Sequence, residues 1–565
     1  MPIDSATPRC LLLFLLISFA LPLCAGEIML DAPKAISALI TPYLPREAGS
    51  QNKLQAMLEE TLATEGYFSP ILKFTERDNG IELKIDPGPR TIITRVNVTV
   101  DGLIEAKTRK ELIGDWHLPV GQPFRQNDWN TAKQQILSRL LSVEHAAARL
   151  LDSEAAIDVA THSAELSAHY DAGPRYRVGE LRIKGLQNYS PALIERYNRS
   201  LPPGTLYREE QLNTLISHLQ ASPYFSAVQA RLDMAAASEA NADGTVTAPI
   251  ELQVNERAAH RLAFGAGAST NTGARVEVNY QTANLFNQAW ELNSGLRLEQ
   301  KRQTAYGDVF LPPDARSRRH SLGVMVEQTD IQGLQTSRFA FGAQSVQQRG
   351  SIEQRLSLSW QSETRTPDGA LATSSRALVP NVMWTWRKID NLLDPHDGVV
   401  LQFQVGGGAK AALSSENFIR LHSRWQQFIP LGHTDTLSLR GEIGYTVTES
   451  RQRIPQDYLF RTRGTGAVRG YTYQSIGITE AAAVVGGRYL AVFSGEATHW
   501  LNDRWGIAAF VDAGDAADQL KAAKLAVGYG LGARWRSPAG PLGIDLAYGQ
   551  RTGNIHLHFA LAIPF

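Results

Sequence analysis

The chain has 565 residues, enough for roughly three or four domains. Its 56 basic and 56 acidic residues cancel, which excludes a nucleic-acid partner held by bulk charge. The slightly polar composition suits a soluble protein, but it equally suits a membrane barrel whose strands show lipid only alternate residues.

Arg9 precedes the apolar run 11–23, and the small residues Cys24, Ala25 and Gly26 follow. A positive residue, a short apolar core and a small-residue cleavage region predict a secretory signal peptide over 1–26. The run is too short for a comfortable spanning helix. A lipoprotein signal is the alternative, disfavoured by bulky Leu23 directly before Cys24. The two cysteines, Cys10 and Cys24, both fall inside this segment. The mature chain is therefore expected to lack disulfides, thiolate metal sites and a cysteine nucleophile.

A repeat follows. Residues 118–124 (LPVGQPF) and 201–207 (LPPGTLY) share one pattern, and Leu44-Pro45 stands in a matching setting. Each precedes an amphipathic helix candidate: Leu54, Met57, Leu58 and Leu62; Ile136, Leu137, Leu140 and Leu141; Leu212, Leu215, Ile216 and Leu219. Alternating strands then close the units at 81–85, 164–170 and 250–256, and the first two lead into D-x-G-P-R elements at 86–90 and 171–175. Turn, helix and closing strand recur in order, which predicts three β-α-α-β-β domains over 27–91, 92–175 and 176–257.

From 258 to 565 helical periodicity stops, and strict alternation takes over. Leu542, Ile544, Leu546 and Tyr548 alternate with Gly543, Asp545, Ala547 and Gly549, and the last strand ends on Phe565. A soluble sandwich also alternates. Three features favour a membrane barrel instead: strands long enough to cross hydrocarbon at a tilt, aromatics near strand ends (Trp425, Trp500, Trp505, Trp535, Tyr548), and a helix-free stretch too long for a sandwich. About sixteen antiparallel strands are expected, the twelfth starting near 484. Short turns such as 393–398 and 537–541 fall at one end, while long loops, above all 449–483, fall at the other.

That long loop contains Val468-Arg469-Gly470-Tyr471, and 510–514 reads FVDAG. The pair resembles the VRGF/Y and F-x-D-x-G signatures of the BamA/TamA outer-membrane assembly superfamily, and the three repeats resemble its POTRA (polypeptide-transport-associated) domains. Read from the residues alone, Trp505, Ile507, Ala509 and Val511 suit lipid, so Phe510 and Asp512 face the lumen. A luminal carboxylate needs a partner, and a guanidinium is a fixed two-pronged match. The loop is therefore expected to fold inward and bring Arg469 to Asp512, with Gly464, Gly466 and Gly470 giving its tip room. The resemblance adds Glu496 as a second luminal carboxylate and Gly514 as part of the wall motif.

The resemblance further implies a lateral gate where the first strand (Leu262, Phe264, Gly265, Gly267) meets the last (Leu557, Phe559, Leu561). A client strand would enter there by edge pairing. The glycine-rich first strand also fits a simpler reading, small residues suited to barrel curvature. Phe565 resembles the terminal aromatic by which such barrels are themselves recognised. Three POTRA-like units resemble the TamA-type subunit, which implies an outer-membrane location in a Gram-negative bacterium, a TamB-type inner-membrane-anchored partner, and autotransporter and other outer-membrane clients. A BamA-like insertase and a two-partner-secretion pore are the nearer alternatives; a passive porin is the alternative of a different class. The lack of G-x-S-x-G, H-E-x-x-H and G-x4-G-K motifs argues against an enzyme, and no cofactor or metal is expected. His556 and His558 could act as metal ligands, but alternate positions on one strand more often line a lumen.

Overall fold

In a computed structural model the described residues are 27–44, 51–77, 80–269, 271–432, 434–462, 468–537 and 540–561. The signal segment, Gly464, Gly466 and Phe565 lie outside them.

Three small α/β domains come first. The first comprises β1 (Glu27–Asp31), α1 (Lys34–Ile40), α2 (Gln51–Thr64), β2 (Ile71–Arg77) and β3 (Gly80–Asp86). The second comprises β4 (Ile92–Asp101), α3 (Ala106–Gly114), α4 (Gln126–Ser142), β5 (Arg149–Asp158) and β6 (Ser163–Asp171). The third repeats the order with β7 (Arg175–Lys184), α5 (Pro191–Tyr197), α6 (Glu209–Gln220), β8 (Phe225–Leu232) and β9 (Thr245–Glu256). In each sheet the last strand lies in the middle, giving β1-β3-β2, β4-β6-β5 and β7-β9-β8. The helices bury the stripe their spacing announces: Leu54, Leu58 and Leu62 on α2, Ile136 and Leu140 on α4. Each such leucine contributes roughly 1.5–3 kcal/mol on burial.

The D-x-G-P-R elements have a structural task that the repeat pattern did not reveal. Arg90 Nε donates to the Glu65 carbonyl (2.9 Å) just beyond α2, and Arg175 Nε donates to Glu144 Oε2 (2.5 Å) just beyond α4. Each arginine, placed just after a closing strand, thus reaches back to the end of the helix that precedes that strand. Arg125, from the next repeat, also grips Glu65 through Nε (2.8 Å) and Nη2 (3.1 Å). Between these contacts the chain passes Gly66 at φ +90°, where a Cβ would overlap the Phe124 carbonyl.

The remaining strands form one sheet. In chain order they are β10 (His260–Ser269), β11 (Gly273–Leu285), β12 (Trp290–Glu299), β13 (Arg302–Phe310), β14 (Arg319–Ile331), β15 (Leu334–Arg349), β16 (Ile352–Pro367) and β17 (Thr373–Ile389). Next come β18 (Gly398–Gly408), β19 (Phe418–Leu431) and β20 (Asp435–Val447). A hairpin inside the longest loop, β21 (Ile478–Glu480) and β22 (Ala483–Val485), stands apart from the sheet. Then β23 (Tyr489–Trp500), β24 (Trp505–Ala517), β25 (Ala526–Ser537), β26 (Gly540–Gly549) and β27 (Asn554–Leu561) complete a sixteen-stranded antiparallel barrel sheet.

Its polarity is inverted relative to a soluble protein. Leu322, Val324 and Val326 on β14 and Phe339 and Phe341 on β15 point outward, while Glu327, Arg338, Glu363 and Arg365 are buried on the inside. An apolar outer band over a charged interior is the pattern of a lipid-facing barrel. Two expectations need correction. The twelfth strand starts at Tyr489 rather than near 484, because Ala483 and Val485 bury their side chains against Leu334 as part of the loop hairpin. Trp425 lies in mid-strand on β19, not at a strand end.

Replacing Gly66 with alanine combines a positive φ with a clash against the Phe124 carbonyl, so a penalty of about 1–3 kcal/mol is expected at that connection. Limited proteolysis of the full-length protein should then cleave near residues 65–91 faster than in the wild type.

The luminal latch as candidate functional site

The loop between β20 and β23 enters the barrel, and its tip carries Val468–Tyr471. The wall opposite is shaped to receive it. On β24 the outward Trp505, Ile507 and Val511 alternate with the buried Phe510 and Asp512, the latter fully shielded from solvent. Arg469 approaches Asp512 through three donors: its backbone N–H reaches Oδ2 at 2.9 Å, Nε reaches Oδ2 at 2.7 Å, and Nη2 reaches Oδ1 at 2.9 Å. Its guanidinium lies 3.4 Å from the centre of the Phe510 ring, a cation–π contact that fixes the plane of the fork.

The cluster is larger than the motif pair. Arg469 Nη1 also donates to Glu496 Oε2 (2.6 Å) on β23 and to Asp545 Oδ2 (3.1 Å) on β26. Arg534 on β25 bridges the same two carboxylates, from Nη2 to Glu496 Oε1 (2.7 Å) and from Nη1 to Asp545 Oδ1 (2.5 Å). Ser494 Oγ donates to Asp512 Oδ1 (2.6 Å). The Gly470 N–H donates to His558 Nε2 (3.0 Å) on β27, and the Tyr471 hydroxyl donates to the Val527 carbonyl (2.9 Å). Three carboxylates, two guanidiniums and one imidazole thus tie one loop tip to five consecutive strands.

Small residues make the approach possible. Gly470 has φ +90°, and a Cβ there would stand 2.7 Å from the Gly549 nitrogen. On the wall, a Cβ at Gly514 would stand 3.0 Å from Val468 Cγ2, and one at Gly528 would overlap the Arg469 carbonyl. Val468 and Tyr471 pack with Phe460, Ile476, Leu490 and Val492 into an apolar cluster beneath the tip.

Asp545, Arg534 and His558 were missed as site residues. For Asp545 a signal existed, since strand alternation already placed it inward, opposite Ile544 and Leu546. Nothing in sequence linked it to Arg469.

A second anchor holds the loop on the far wall. Glu480 on β21 accepts from Arg365 Nη1 (3.2 Å) and Nη2 (3.2 Å) on β16 and from Arg451 Nη1 (3.0 Å). Arg451 Nε donates in turn to Asp518 Oδ2 (2.6 Å).

At the two ends of the sheet, β10 pairs only with β11 and β27 only with β26 among the described residues. Leu262 and Phe264 on β10 and Leu557 and Phe559 on β27 point outward. The side chain of Leu561 is outside the described set. Gly265 lies under the Glu277 side chain, where a Cβ would stand 2.9 Å from Cγ, whereas Gly267 has no such close neighbour.

Residues 255–563 match the family model of the Omp85 superfamily domain. The chain belongs to the Omp85 superfamily. The resemblance to the BamA/TamA assembly proteins thus holds at superfamily level. Among solved structures, BamA from Haemophilus ducreyi lacking POTRA domains 1–3 is similar in fold, with a TM-score of 0.69 at 16% identity over 83% of this chain and 99% of that one. CdiB from Acinetobacter baumannii aligns over 93% of this chain and 97% of its own at 11% identity, with a TM-score of 0.44. CdiB from Escherichia coli aligns over 94% and 98%, also at 11% and 0.44.

Arg469→Ala leaves Asp512 buried without its cation, a loss of about 3–5 kcal/mol. The temperature at which the folded barrel band converts to the unfolded band on a gel should fall. Arg469→Lys should recover little, because one ammonium cannot replace the planar fork. An unchanged conversion temperature in both variants would remove the cluster from barrel stability.

Acid should release the second anchor. Burial raises the Glu480 pKa, but the Arg451 and Arg365 guanidiniums outweigh it and hold the carboxyl below its ordinary value. With the folded pKa depressed, the contribution is complete above the unfolded value of about 4.3 and is lost as pH falls through the folded one. Protection from hydrogen exchange at 478–485, corrected for the intrinsic pH dependence of amide exchange, should therefore fall in acid, whereas in Glu480→Gln it is already low at neutral pH and changes little.

Proposed function

We propose that this chain is a TamA-type assembly factor, which inserts autotransporters and other barrel proteins into the outer membrane of a Gram-negative bacterium. The observation that carries the reading is the Arg469 cluster: it holds the loop tip against β23–β27, next to sheet ends that pair on one side only among the described residues. An edge strand with open backbone groups is a template, and a client strand added to it keeps its N–H and C=O groups satisfied while entering lipid. Nucleotide hydrolysis is not needed, because each added strand supplies its own hydrogen bonds and buries apolar surface.

In this reading the signal peptide ends near residue 26, and domains 27–91, 92–175 and 176–257 lie in the periplasm. The barrel from 258 onward spans the outer membrane, and Leu262, Phe264, Gly265, Gly267, Leu557, Phe559 and Leu561 line the gate. The first domain meets a TamB-type inner-membrane-anchored protein. Support for the TamA type comes from the count of three repeats, since BamA-type insertases resemble a five-repeat pattern and two-partner-secretion transporters a two-repeat one.

Crosslinking through residues 27–91 followed by purification from membranes tests the partner. Recovery of a large inner-membrane protein is the expected result; recovery of small lipoproteins instead would move the chain to the BamA type. For the site, Arg469→Ala should give a barrel that still migrates as folded before heating yet inserts clients slowly. Normal insertion by that variant would take the latch out of the mechanism.

A further inference from the structure

At the end of the sheet where β10 begins and β17 ends, one turn makes a contact that the sheet does not require. The 390–397 segment between β17 and β18 is held by its own side chains. Asp390 Oδ1 accepts the backbone N–H groups of Asn391 (2.9 Å), His396 (3.0 Å) and Asp397 (3.2 Å), and Asn391 Oδ1 accepts that of Leu393 (2.9 Å). The Asp390 N–H closes the turn onto the Asp397 carbonyl at 3.1 Å. The turn is thereby built as a stiff projection, with Asp394 and His396 near its tip.

Both residues meet Arg536, 142 and 140 residues further along the chain and close to the end of β25. Arg536 Nε donates to Asp394 Oδ2 at 2.6 Å, and its Nη2 lies 2.7 Å from His396 Nε2. The guanidinium is held in place from its own side. It lies 3.7 Å from the centre of the Trp500 indole at the end of β23, and the Arg536 backbone N–H donates to the Arg504 carbonyl at 2.9 Å. Between β18 and β25 the sheet contains β19, β20, β23 and β24. Arg536 therefore joins two barrel walls that no ladder connects directly, and it does so two strands from the terminal strand β27.

We propose that the 390–397 turn is a strap across the periplasmic mouth, which ties the base of the C-terminal strands to the opposite wall and restrains parting of the seam at β27. The latch holds these strands from within the lumen, whereas the strap holds them at their periplasmic ends. Opening the seam toward the periplasm then requires Arg536 to leave Asp394. The functional arm of this inference rests on the assembly reading; the structural arm does not.

The test uses the full-length protein in detergent micelles and reads hydrogen exchange at residues 554–561. Arg536→Ala should speed exchange there by about tenfold, the scale of one charge-assisted hydrogen-bonded pair. A second variant guards against misfolding. Asp394→Cys/Arg536→Cys, bridged by a bifunctional thiosulfonate that reductant cleaves, should show slow seam exchange when bridged and fast exchange after reduction of the same sample. Exchange that changes only at 390–397 and 534–541, with the seam indifferent to variant and bridge alike, would overturn the strap. Client insertion into liposomes, measured on the same samples, reads the assembly proposal separately. A seam that responds while insertion does not would keep the strap and reject assembly through this seam.

Discussion

Hydrocarbon offers no hydrogen-bond partners, and that one constraint orders everything after residue 258. A backbone crossing it must satisfy every N–H and C=O within protein, at a penalty of several kcal/mol for each group left open. Sixteen strands, each laddered to its neighbours along the sheet, meet that demand among the described residues except at the two ends. There the chain depends on whatever pairs with β10 and β27. The same constraint that makes the wall stable makes its seam the place where the proposed reading admits a client strand.

The interior obeys the opposite rule. Because the outer face must be apolar, alternation drives Glu327, Arg338, Glu363, Arg365, Asp512 and Asp545 inward, where charge is tolerable only in pairs. The long loop supplies part of that pairing. Arg469 completes a cluster already seeded by Glu496, Asp512, Asp545 and Arg534, and Glu480 does the same for Arg365 on the far wall. The loop thus acts as a counter-ion with a shape, positioned by charges that the barrel cannot bury alone. Glycines 470, 514 and 528 matter for the same reason, since charge-assisted hydrogen bonds at 2.6–3.1 Å demand close approach of two backbones.

The N-terminal domains solve a simpler problem, covering one face of a three-stranded sheet with two helices. Their repeated arginines show how successive repeats gain definition at the connections between them. Arg90 and Arg175 fasten the chain just past a closing strand to the preceding helix end, and Arg125 reaches back from the next repeat to the same Glu65. A carboxylate shared by two guanidiniums favours one geometry over its neighbours, which surface contacts of weakly paired charges would not do.

Much of this was written in local pattern. Helical stripes such as Leu54–Leu58–Leu62 and alternation such as Ile507–Ala509–Val511 against Phe510–Asp512 each report one buried face, because side-chain periods of 3.6 and 2 follow from backbone geometry alone. That sufficed for the three domain repeats, the strand number and the inward direction of Asp512. It failed at Ala483 and Val485, whose alternation is real but is satisfied by a hairpin in the loop. Beyond the Arg469–Asp512 pair, the contacts made by the 449–483 loop were not legible, nor were those of the 390–397 turn. Which carboxylates share Arg469, and which wall Arg536 reaches, depends on distances between strands far apart in sequence. Local periodicity determines which face a residue takes; only closure of the sheet in space decides which residues on that face meet.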